Sequence, residues 1–231
     1  MAILRCENLC KSYGKKPALE NVCLSVEPGR VTGLLGPNGS GKTTLIKLVN
    51  GLLSPTSGKV LINGEEPGVE TKAMVSYLSD KPALAPWMNV QQLMDFFSDF
   101  YADFQPDRAE EMLQRLGIDK KLRIKQMSKG TIEKVQMIMV MSRKAKLYLL
   151  DEPIGGVDPA TRDYILDTII RNYNPEASVI ISTHLIADVE QVLDDVIFIQ
   201  NGRVVLQSSV DEIRENHGKS VDAYFREVFR C

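Results

Sequence analysis

The stretch from Val31 to Leu45, which reads Val-Thr-Gly-Leu-Leu-Gly-Pro-Asn-Gly-Ser-Gly-Lys-Thr-Thr-Leu, indicates the fold class more strongly than any other part of the chain. A short apolar run, Val31–Leu35, precedes a glycine-rich loop, and apolar residues then recur at helical spacing from Leu45 onward. The loop matches G-x-x-x-x-G-K-[ST] in the strand–loop–helix context that this pattern requires. Glycines let backbone N–H groups face phosphate oxygens, and the positive end of the following helix faces the same anion. The segment therefore predicts a phosphate-binding site.

Every position of this glycine-rich loop is a candidate for nucleotide binding. Lys42 supplies a point charge for the β- and γ-phosphates, and the hydroxyl of Thr43 suits Mg²⁺. The alternative is a glycine-rich turn that binds nothing, which the strand–loop–helix context disfavours. The candidates are Gly36, Pro37, Asn38, Gly39, Ser40, Gly41, Lys42, Thr43 and Thr44.

A second motif ends an apolar run in two carboxylates. Leu147–Leu150 is followed directly by Asp151 and Glu152. Asp151 is placed to hold Mg²⁺ through water, and Glu152 is placed to polarise an attacking water near the γ-phosphate. By itself, a strand that ends in Asp-Glu is a common feature of sheet edges and does not indicate catalysis. Together with the Lys42 loop, the motif predicts catalysis of nucleotide hydrolysis.

Short β-branched runs that alternate with helical segments predict an α/β fold. The nearly continuous apolar runs Leu147–Leu150 and Val179–Ser182 suit strands buried on both faces of a parallel sheet. Ile3–Leu9 and Leu19–Val26 alternate and suit an antiparallel edge layer, while Asn201-Gly202 predicts a tight hairpin. The remaining candidate strands are Val60–Ile62, Val75–Leu78, Val196–Gln200 and Arg203–Leu206.

Helical periodicity dominates residues 90–146, between strand-rich flanks, and predicts a helical subdomain inserted into the core. Asp158-Pro159 predicts the N-cap and first position of a further helix. The apolar stripe Leu185, Ile186, Val189, Val192 and Leu193 predicts another helix, and the stripe Val221, Tyr224, Phe225, Val228 and Phe229 predicts a terminal one.

The composition limits the classes of protein to which this chain can belong. The chain has 231 residues, of which 44% are hydrophobic and 25% charged, with a net charge of −2. These values exclude intrinsic disorder, and without a basic excess we expect no nucleic-acid partner.

The sequence contains no membrane or secretion signal that we recognise. A spanning helix needs about 20 apolar residues, whereas the longest uncharged run, which contains Ala83–Met94, begins at Pro82 and has only 13 residues. Arg5 and Glu7 interrupt the N-terminal stretch, which argues against a signal peptide. Cys6, Cys10, Cys23 and Cys231 are expected to be reduced thiols with no metal role.

In their order along the chain, these motifs resemble those of the nucleotide-binding subunit of ABC transporters, and the match runs over nearly the whole length. Met127-Ser-Lys-Gly-Thr131 is similar to the signature loop, and Gly155-Gly-Val-Asp158 to the D-loop. Ser182-Thr-His184 is similar to the switch-histidine loop, and Tyr13 to the aromatic residue that stacks on adenine. The resemblance implies that Ser128, Lys129 and Gly130 reach the nucleotide of a second subunit in trans.

The resemblance also implies an architecture. We expect an α/β fold with a P-loop NTPase (RecA-like) core of mainly parallel sheet, an antiparallel β layer at the N-terminus and an inserted helical subdomain. Residues 1–231 would form a single ABC ATPase domain, with the core at about 1–85 and 146–231 and the helical subdomain at about 86–145.

The implied function is an ATP-binding and hydrolysing motor that uses ATP and Mg²⁺ and drives transport through a separate integral-membrane permease. The subunit would work as a homodimer or as a heterodimer with a second ABC cassette, cytoplasmic and peripheral on the inner face of the cell membrane. The short stretch after Leu206 resembles that of export-type cassettes. Two alternatives remain: a nucleotide-sensing regulatory ABC subunit with little turnover, and a soluble non-transport ABC ATPase.

Two segments depart from the family pattern, and in the signature loop Thr131 also replaces the usual glutamine. The segment Val75–Asp80 ends in Asp80 where the family has a glutamine, so a metal role of Asp80 is tentative, because an ionised carboxylate cannot donate a hydrogen bond. The signature loop has Lys129 in place of a glycine, at the centre of a basic run, 119–146, that predicts a solvated helix face or a contact with permease or nucleotide.

Three site residues also have simpler interpretations. Tyr13 could serve as a surface aromatic, His184 as a structural histidine after a strand, and Asp158 as a helix N-cap alone. The family roles of these residues are nucleotide stacking, γ-phosphate contact and a dimer-interface loop, respectively.

Overall fold

The computed structural model describes residues 1–81, 84–172 and 176–229. The predicted fold class is confirmed, because a mostly parallel sheet of six strands lies beside an antiparallel sheet of three. Cys231 lies outside the described residues, and Cys6, Cys10 and Cys23 are free thiols.

The strands follow the predicted apolar runs closely. Among the described residues they are β1 Leu4–Tyr13, β2 Lys16–Val26, β3 Val31–Leu35, β4 Ser57–Ile62, β5 Val75–Leu78, β6 Leu147–Asp151, β7 Ser178–Thr183, β8 Asp195–Gln200 and β9 Arg203–Ser209.

The helices cover most of the predicted helical stretches. In the same part of the chain they are α1 Lys42–Val49, α2 Val69–Met74, α3 Val90–Phe100, α4 Pro106–Arg115, α5 Lys129–Met141, α6 Pro159–Asn172, α7 Ile186–Val189, α8 Val210–His217 and α9 Val221–Phe229. Within the described ranges, we find no helix with the length and apolar character needed to span a bilayer.

The larger sheet has the strand order β5-β6-β7-β3-β8-β9. Its first five strands are parallel, and β9 returns antiparallel to β8 through the predicted Asn201-Gly202 hairpin. Both hairpin residues have positive φ, at 48° and 76°, as a type I′ turn requires. All residues of β3, β6 and β7 are buried, since helices or the second sheet cover both faces. The carboxyl ends of these three central strands therefore lie side by side.

The antiparallel layer has the strand order β2-β1-β4. Its inner face packs with α1 and the larger sheet in one hydrophobic core, which includes Leu4, Leu9, Val22 and Ile46. The layer thus supports the loop before α1 from one side.

Helices α3, α4 and α5 share a core of their own. Helix α5 belongs to both parts of the molecule: Val135 and Ile138 face the helical core, whereas Met137 and Met141 face the core beneath the sheet. The middle turns of α5 carry apolar side chains on nearly every side, so the sequence of this helix shows only a weak amphipathic pattern.

Two expectations need correction. Arg143, counted in the basic run as part of a solvated face or ligand surface, has only 3% of its side chain exposed and pairs with Asp103. The stripe from Leu185 to Leu193 forms only the short α7, followed by a 3₁₀ turn over Glu190–Val192.

The predicted terminal helix is observed as α9, and it packs on the core through the buried Val221 and Phe225. Helix α8 was not predicted from the sequence, because only Val210 and Ile213 of its residues are buried.

Candidate nucleotide-binding site

The glycine-rich loop connects β3 to α1 and is held tightly by neighbouring backbone. A Cβ atom on Gly36 would lie 2.3 Å from the carbonyl oxygen of Ile199, so only glycine fits there. Gly41, the N-cap of α1, has a φ of 113°, and its Cβ would lie 2.9 Å from the carbonyl oxygen of Ala18. The loop therefore keeps a fixed, side-chain-poor backbone at the N-terminus of α1, which is the arrangement that receives phosphate.

Lys42 begins α1, and its side chain turns back along the loop. Its Nζ donates to the carbonyl oxygens of Gly36 and Pro37 at 2.7 and 3.3 Å, and it lies 3.4 Å from Glu152 Oε1. Only 5% of the side chain is exposed. The ammonium group is therefore fixed inside the loop and next to the carboxylate that the sequence assigned to water activation.

Asp151 lies at the end of β6, directly beneath the loop. Its Oδ1 accepts hydrogen bonds from Ser182 Oγ at 2.5 Å and from Thr43 Oγ1 at 3.2 Å. Its Oδ2 is buried without a hydrogen-bond partner among the described residues. Burial raises the pKa of the Asp151 carboxyl, against the two hydrogen bonds, which lower it. A buried carboxylate oxygen without a partner, beside a threonine hydroxyl, fits the oxygen ligands that Mg²⁺ prefers.

Glu152 has a strained backbone. Its φ is 50°, in a region that non-glycine residues rarely occupy and that costs on the order of 1–3 kcal/mol. Its N–H is held by the carbonyl oxygen and the hydroxyl of Ser182, at 3.0 and 3.1 Å. Such strain is frequent at functional sites, where the surrounding structure fixes the direction of one side chain.

His184 contacts the other side of the Glu152 carboxylate. Its Nδ1 lies 3.1 Å from Oε2 and 3.2 Å from Oε1, and 40% of the side chain is exposed. Lys42, Glu152 and His184 thus form a connected row at the carboxyl ends of β3, β6 and β7.

A groove with a volume of about 810 Å³ runs along the outside of the loop. Tyr13 lies in its wall, 51% exposed, with Lys11 Nζ 5.5 Å from the ring centroid. Predicted site residues that line this groove are Tyr13, Asn38, Gly39, Gly41, Lys42, Thr43, Thr44, Asp80 and Glu152. Gly36, Pro37 and Ser40 do not line this groove: Gly36 and Ser40 are buried, and Pro37 is exposed elsewhere on the loop.

Asp80 follows β5 and is exposed. It lines the groove, and it also lines a small cavity together with Glu133, Gln136 and Glu152. Repulsion from Asp80 contributes to the raised pKa of Asp151, so the two carboxylates are electrostatically coupled. The position of Asp80 is compatible with a role near the phosphates.

The signature-like and D-loop-like segments lie against each other. Ser128 is the N-cap of α5, where its Oγ accepts from Thr131 N at 3.2 Å, and Asp158 caps α6 by accepting from Thr161 N at 3.0 Å. A Cβ on Gly130 would lie 3.9 Å from Asp158 Oδ2, and Lys129 Nζ lies 3.5 Å from the carbonyl oxygen of Gly156. Hydrogen bonds from Thr161 lower the pKa of Asp158, as expected for an N-cap. These residues do not belong to the wall of the Lys42 groove.

Two residues that hold the site in place were not predicted from the sequence. Ser182 bonds both Asp151 and Glu152, although only His184 of its motif had been singled out. Gly202 of the hairpin donates to the carbonyl oxygen of Ser40 at 2.8 Å and so braces the loop. The Asn201-Gly202 turn was visible in the sequence, but its place beside the loop depends on the strand order.

A glycine-rich loop, a buried aspartate followed by a half-buried glutamate, and a histidine at the ends of adjacent parallel strands are the arrangement of a nucleotide-hydrolysing site of the P-loop class. The chain belongs to the ABC transporter family, because the family model described as ABC transporter matches residues 19–155. It is an ATP-binding cassette of this ATP-hydrolysing family, as the sequence resemblance implied.

Characterised and uncharacterised relatives extend the similarity beyond that segment. The chain is 33% identical to the uncharacterised ABC transporter ATP-binding protein YxlF of Bacillus subtilis over 224 residues, which cover 95% of this chain and 75% of that protein. It is 30% identical to the lantibiotic transport ATP-binding protein SrtF of Streptococcus pyogenes over 213 residues, 90% of this chain and 92% of that protein.

Solved structures agree with the fold. An ATP-binding subunit of an ABC transporter superposes with a TM-score of 0.89 at 28% identity, covering 98% of this chain and 99% of the other. The ADP conformation of the cassette MJ1267 superposes with a TM-score of 0.75 at 25% identity, covering 97% and 99%.

Proposed function

We propose that this chain is the motor subunit of an exporter, which binds and hydrolyses ATP as one half of a dimer and drives a separate membrane permease. The observation that carries the proposal is the row of Lys42, Glu152 and His184 beside the buried Asp151. We also propose that residues 1–85 and 146–231 act as the core and 86–145 as a helical subdomain that passes motion to the permease.

Lys42 and the loop 36–44 would bind the phosphates of ATP, and Tyr13 would stack on the adenine. Thr43 and Asp151 would hold Mg²⁺, with Asp80 as a third ligand, and the bound ion would neutralise charge that develops on the phosphates. Glu152 would orient and polarise the attacking water, while His184 steadies the γ-phosphate from the neighbouring strand. Phosphoryl transfer depends mainly on such positioning and charge neutralisation, so fixed side chains suffice.

A second subunit would complete the site. Ser128, Lys129 and Gly130 lie on a different surface from the groove, together with Asp158, and therefore suit contact with the nucleotide of a partner chain. The N-terminus of α5 would direct its free N–H groups toward that nucleotide. The subunits would pair with each other or with a second ABC cassette.

The names of two relatives support export as the proposed direction of transport. SrtF is named for lantibiotic transport, and LnrL of Bacillus subtilis, 30% identical over 211 residues, is a linearmycin resistance ATP-binding protein. Transport of a lantibiotic and resistance to linearmycin are both served by export, and the proposed permease would hold this chain on the cytoplasmic side of the membrane.

Asp80 favours one second candidate, a nucleotide-sensing subunit with little turnover. A carboxylate at this place adds negative charge beside the phosphates and cannot donate to water. The steady-state ATPase rate of the wild-type protein distinguishes the two, because a motor must turn over.

The proposal is tested with Glu152→Gln, which keeps the shape of the side chain and removes its basicity. We expect this variant to bind ATP and to hydrolyse it more slowly by at least about 10²-fold, the usual contribution of a general base. Light scattering should show a shift from monomer to dimer only with Mg·ATP. The matched control is Glu111→Gln, which changes an exposed carboxylate that pairs with Arg115 outside the groove. Wild-type turnover in Glu152→Gln would contradict the assigned role, and a monomer at all ATP concentrations would contradict self-pairing.

A further inference from the structure

Two thiols lie on the outer face of the antiparallel layer. Leu9 of β1 pairs with Val22 of β2, and both of these side chains are fully buried. Cys10 and Cys23 each follow one member of that pair, so the alternation of side chains along a strand places them on the opposite, outer face. Because the two strands are antiparallel, the cysteines are diagonal neighbours across the Leu9–Val22 pair.

Both sulfur atoms are held by the same residue, Asn8. The backbone N–H of Asn8 donates to Cys23 Sγ at 3.2 Å, and Cys23 Sγ donates to Asn8 Oδ1 at 3.3 Å. Cys10 Sγ donates to the carbonyl oxygen of Asn8 at 3.6 Å and accepts from the backbone N–H of Asn21 at 3.2 Å. The cysteines therefore form a pair that is anchored on one residue rather than two isolated thiols.

The backbone around this pair is irregular. Asn8 and Asn21 have φ values of 45° and 49°, in the left-handed region that asparagine tolerates better than most residues. The register of β1 against β2 shifts on both sides of the Leu9–Val22 pair. Diagonal neighbours in a regular ladder have Cα atoms about 7–8 Å apart, whereas a disulfide joins Cα atoms about 4.4–6.8 Å apart, so a bond between the cysteines needs the strands to approach by roughly 1 Å.

The two thiols differ in access to solvent. Cys23 is exposed and lines an open groove with a volume of about 740 Å³, so a small oxidant reaches its sulfur directly. Cys10 is half-buried, and Cys6 lies on the inner face of the same strand with 2% exposure. Oxidation follows exposure, so Cys23 reacts first and Cys10 is the thiol that can resolve the product.

The same two strands form a wall of the nucleotide groove. Tyr13 pairs with Lys16 where β1 and β2 end at their common turn, and both residues line that groove. The carbonyl oxygen of Ala18 lies 2.9 Å from the position of a Cβ on Gly41 of the phosphate loop. A movement of β1 against β2 therefore reaches the proposed adenine platform and the phosphate loop through the backbone.

We propose that Cys10 and Cys23 form a reversible disulfide on reaction with a peroxide, and that this disulfide weakens ATP binding by drawing β1 and β2 together next to Tyr13. The disulfide itself is independent of the proposed function, whereas its effect on ATP rests on the proposed nucleotide groove. The reduced pair corresponds to the active state of the protein.

The chemistry needs one peroxide for each pair of thiols. The sulfur of Cys23 attacks a peroxide oxygen, so that an S–O bond forms, the O–O bond breaks and one water leaves. The sulfur of Cys10 then attacks the sulfur of Cys23, so that the S–S bond forms, the S–O bond breaks and a second water leaves. The two thiols lose two electrons and two protons, which the peroxide gains, and a dithiol reductant reverses the change.

The test treats nucleotide-free wild-type protein with hydrogen peroxide and identifies linked peptides by mass spectrometry without reduction, with fragment ions that separate Cys10 from Cys6. Equilibrium dialysis then gives the Kd for ATP of the reduced and the oxidised protein. Cys10→Ser and Cys23→Ser each remove one member of the pair with little change of size. Cys6→Val is the matched control, because it removes a buried thiol from the same strand and leaves the pair intact.

We expect oxidised wild type and oxidised Cys6→Val to contain the Cys10–Cys23 link. Their Kd for ATP should rise at least about threefold, part of the roughly tenfold that loss of stacking on Tyr13 causes, and a dithiol reductant should restore it. Both serine variants should keep the Kd of the reduced protein in the presence of peroxide. Because such coupling is reciprocal, saturating ATP should lower the equilibrium constant for disulfide formation in a dithiol buffer by the same factor.

Three other results would overturn the proposal, each in a different way. A link to Cys6 or Cys231, a link between two chains, or oxidation of Cys23 to sulfinic acid alone would refute the pairing. A Cys10–Cys23 link that leaves the Kd for ATP unchanged would refute the effect on the nucleotide, while the proposed function stands. If the reduced wild type binds no ATP, the proposed function fails and the effect on affinity fails with it, whereas the peptide masses still decide the disulfide.

Discussion

Replacing Arg143 with methionine should destabilise the protein strongly, because this guanidinium joins the helical part of the chain to the edge of the sheet. Its Nε and Nη2 donate to both carboxylate oxygens of Asp103, at 2.9 and 3.2 Å. Nη1 and Nη2 donate to the carbonyl oxygens of Val75 and Ala73, at 2.5 and 2.8 Å. The guanidinium carbon also lies 3.9 Å from the ring centroid of Tyr101. With 3% of the Arg143 side chain exposed, solvent cannot replace these contacts.

The size of the expected destabilisation follows from the burial of the Arg143–Asp103 ion pair. Removing one partner from a buried ion pair costs about 3–5 kcal/mol, because it leaves the other charge and the backbone carbonyls without partners. The entropy of unfolding is about 2.1 cal/mol/K per residue, which over 231 residues gives roughly 0.5 kcal/mol/K. A loss of about 4 kcal/mol therefore lowers Tm by about 8 °C.

The assay is urea and thermal unfolding of Arg143→Met beside Arg203→Met. Arg203 pairs with Glu20 on the surface, with side chains 68% and 36% exposed, so its loss should cost less than about 1 kcal/mol. The double variant Arg143→Met/Asp103→Leu should recover at least about 1 kcal/mol, because no carboxylate is then left unpaired. A loss of less than about 1 kcal/mol in Arg143→Met, equal to that of the surface control, would refute the reasoning.

Four further predictions concern the site and the thiols. Asp80→Ala should weaken the Mg²⁺ dependence of ATP hydrolysis or the coupling to transport, and unchanged values of both would exclude a metal or coupling role. Tyr13→Ala should raise the Kd for ATP by about tenfold or more in equilibrium dialysis, since base–aromatic stacking contributes about 1–3 kcal/mol; an unchanged Kd would leave Tyr13 a surface aromatic. His184→Ala should lower kcat by about 10²-fold with little change in ATP binding, as for the loss of one preorganised donor, whereas an equal loss of binding would point to a structural histidine. Burial and the nearby Cys23 raise the pKa of Cys6 to about 12, so the unfolded state loses this proton first, and the free energy of unfolding should fall as pH rises above the usual thiol value of about 8.5; urea unfolding of Cys6→Val should lack that part of the slope.

The sequence predicted the central strands because their side chains are buried on both faces. The predicted runs Val31–Leu35 and Val75–Leu78 are observed as β3 and β5 with the same ends, and Leu147–Leu150 gains only Asp151. A strand that is covered on both sides needs continuous apolar residues, so its signal is local. Helix α8 was missed for the opposite reason, since six of its eight residues face outward or are only partly covered and give no periodic pattern.

The residue types of the site were also visible locally. The loop 36–44 requires glycines for a backbone that approaches its neighbours closely, and Asp151-Glu152 follows an apolar strand. What the sequence left open was which side chains support them. Ser182 looked like an ordinary member of a strand end, although its hydroxyl bonds Asp151 and holds Glu152.

Arg143 shows the limit of local reasoning most clearly. In a run of basic residues it looks solvent-exposed, yet it is buried, because Asp103 and two carbonyl groups from a distant segment surround it. Nothing within a few residues of Arg143 predicts those partners.

The sequence by itself determined the class of fold, the glycine-rich loop 36–44 and the Asp151-Glu152 pair at a strand end, because each depends on neighbouring residues in the chain. Only the tertiary structure decided that β6, β7 and β3 lie next to one another, which brings Glu152 and His184 to Lys42. Tertiary structure also placed Lys129 on a surface away from that row, beside Gly156. Strand order depends on how whole elements bury their apolar faces together, and this is a property of the packed core rather than of any single segment.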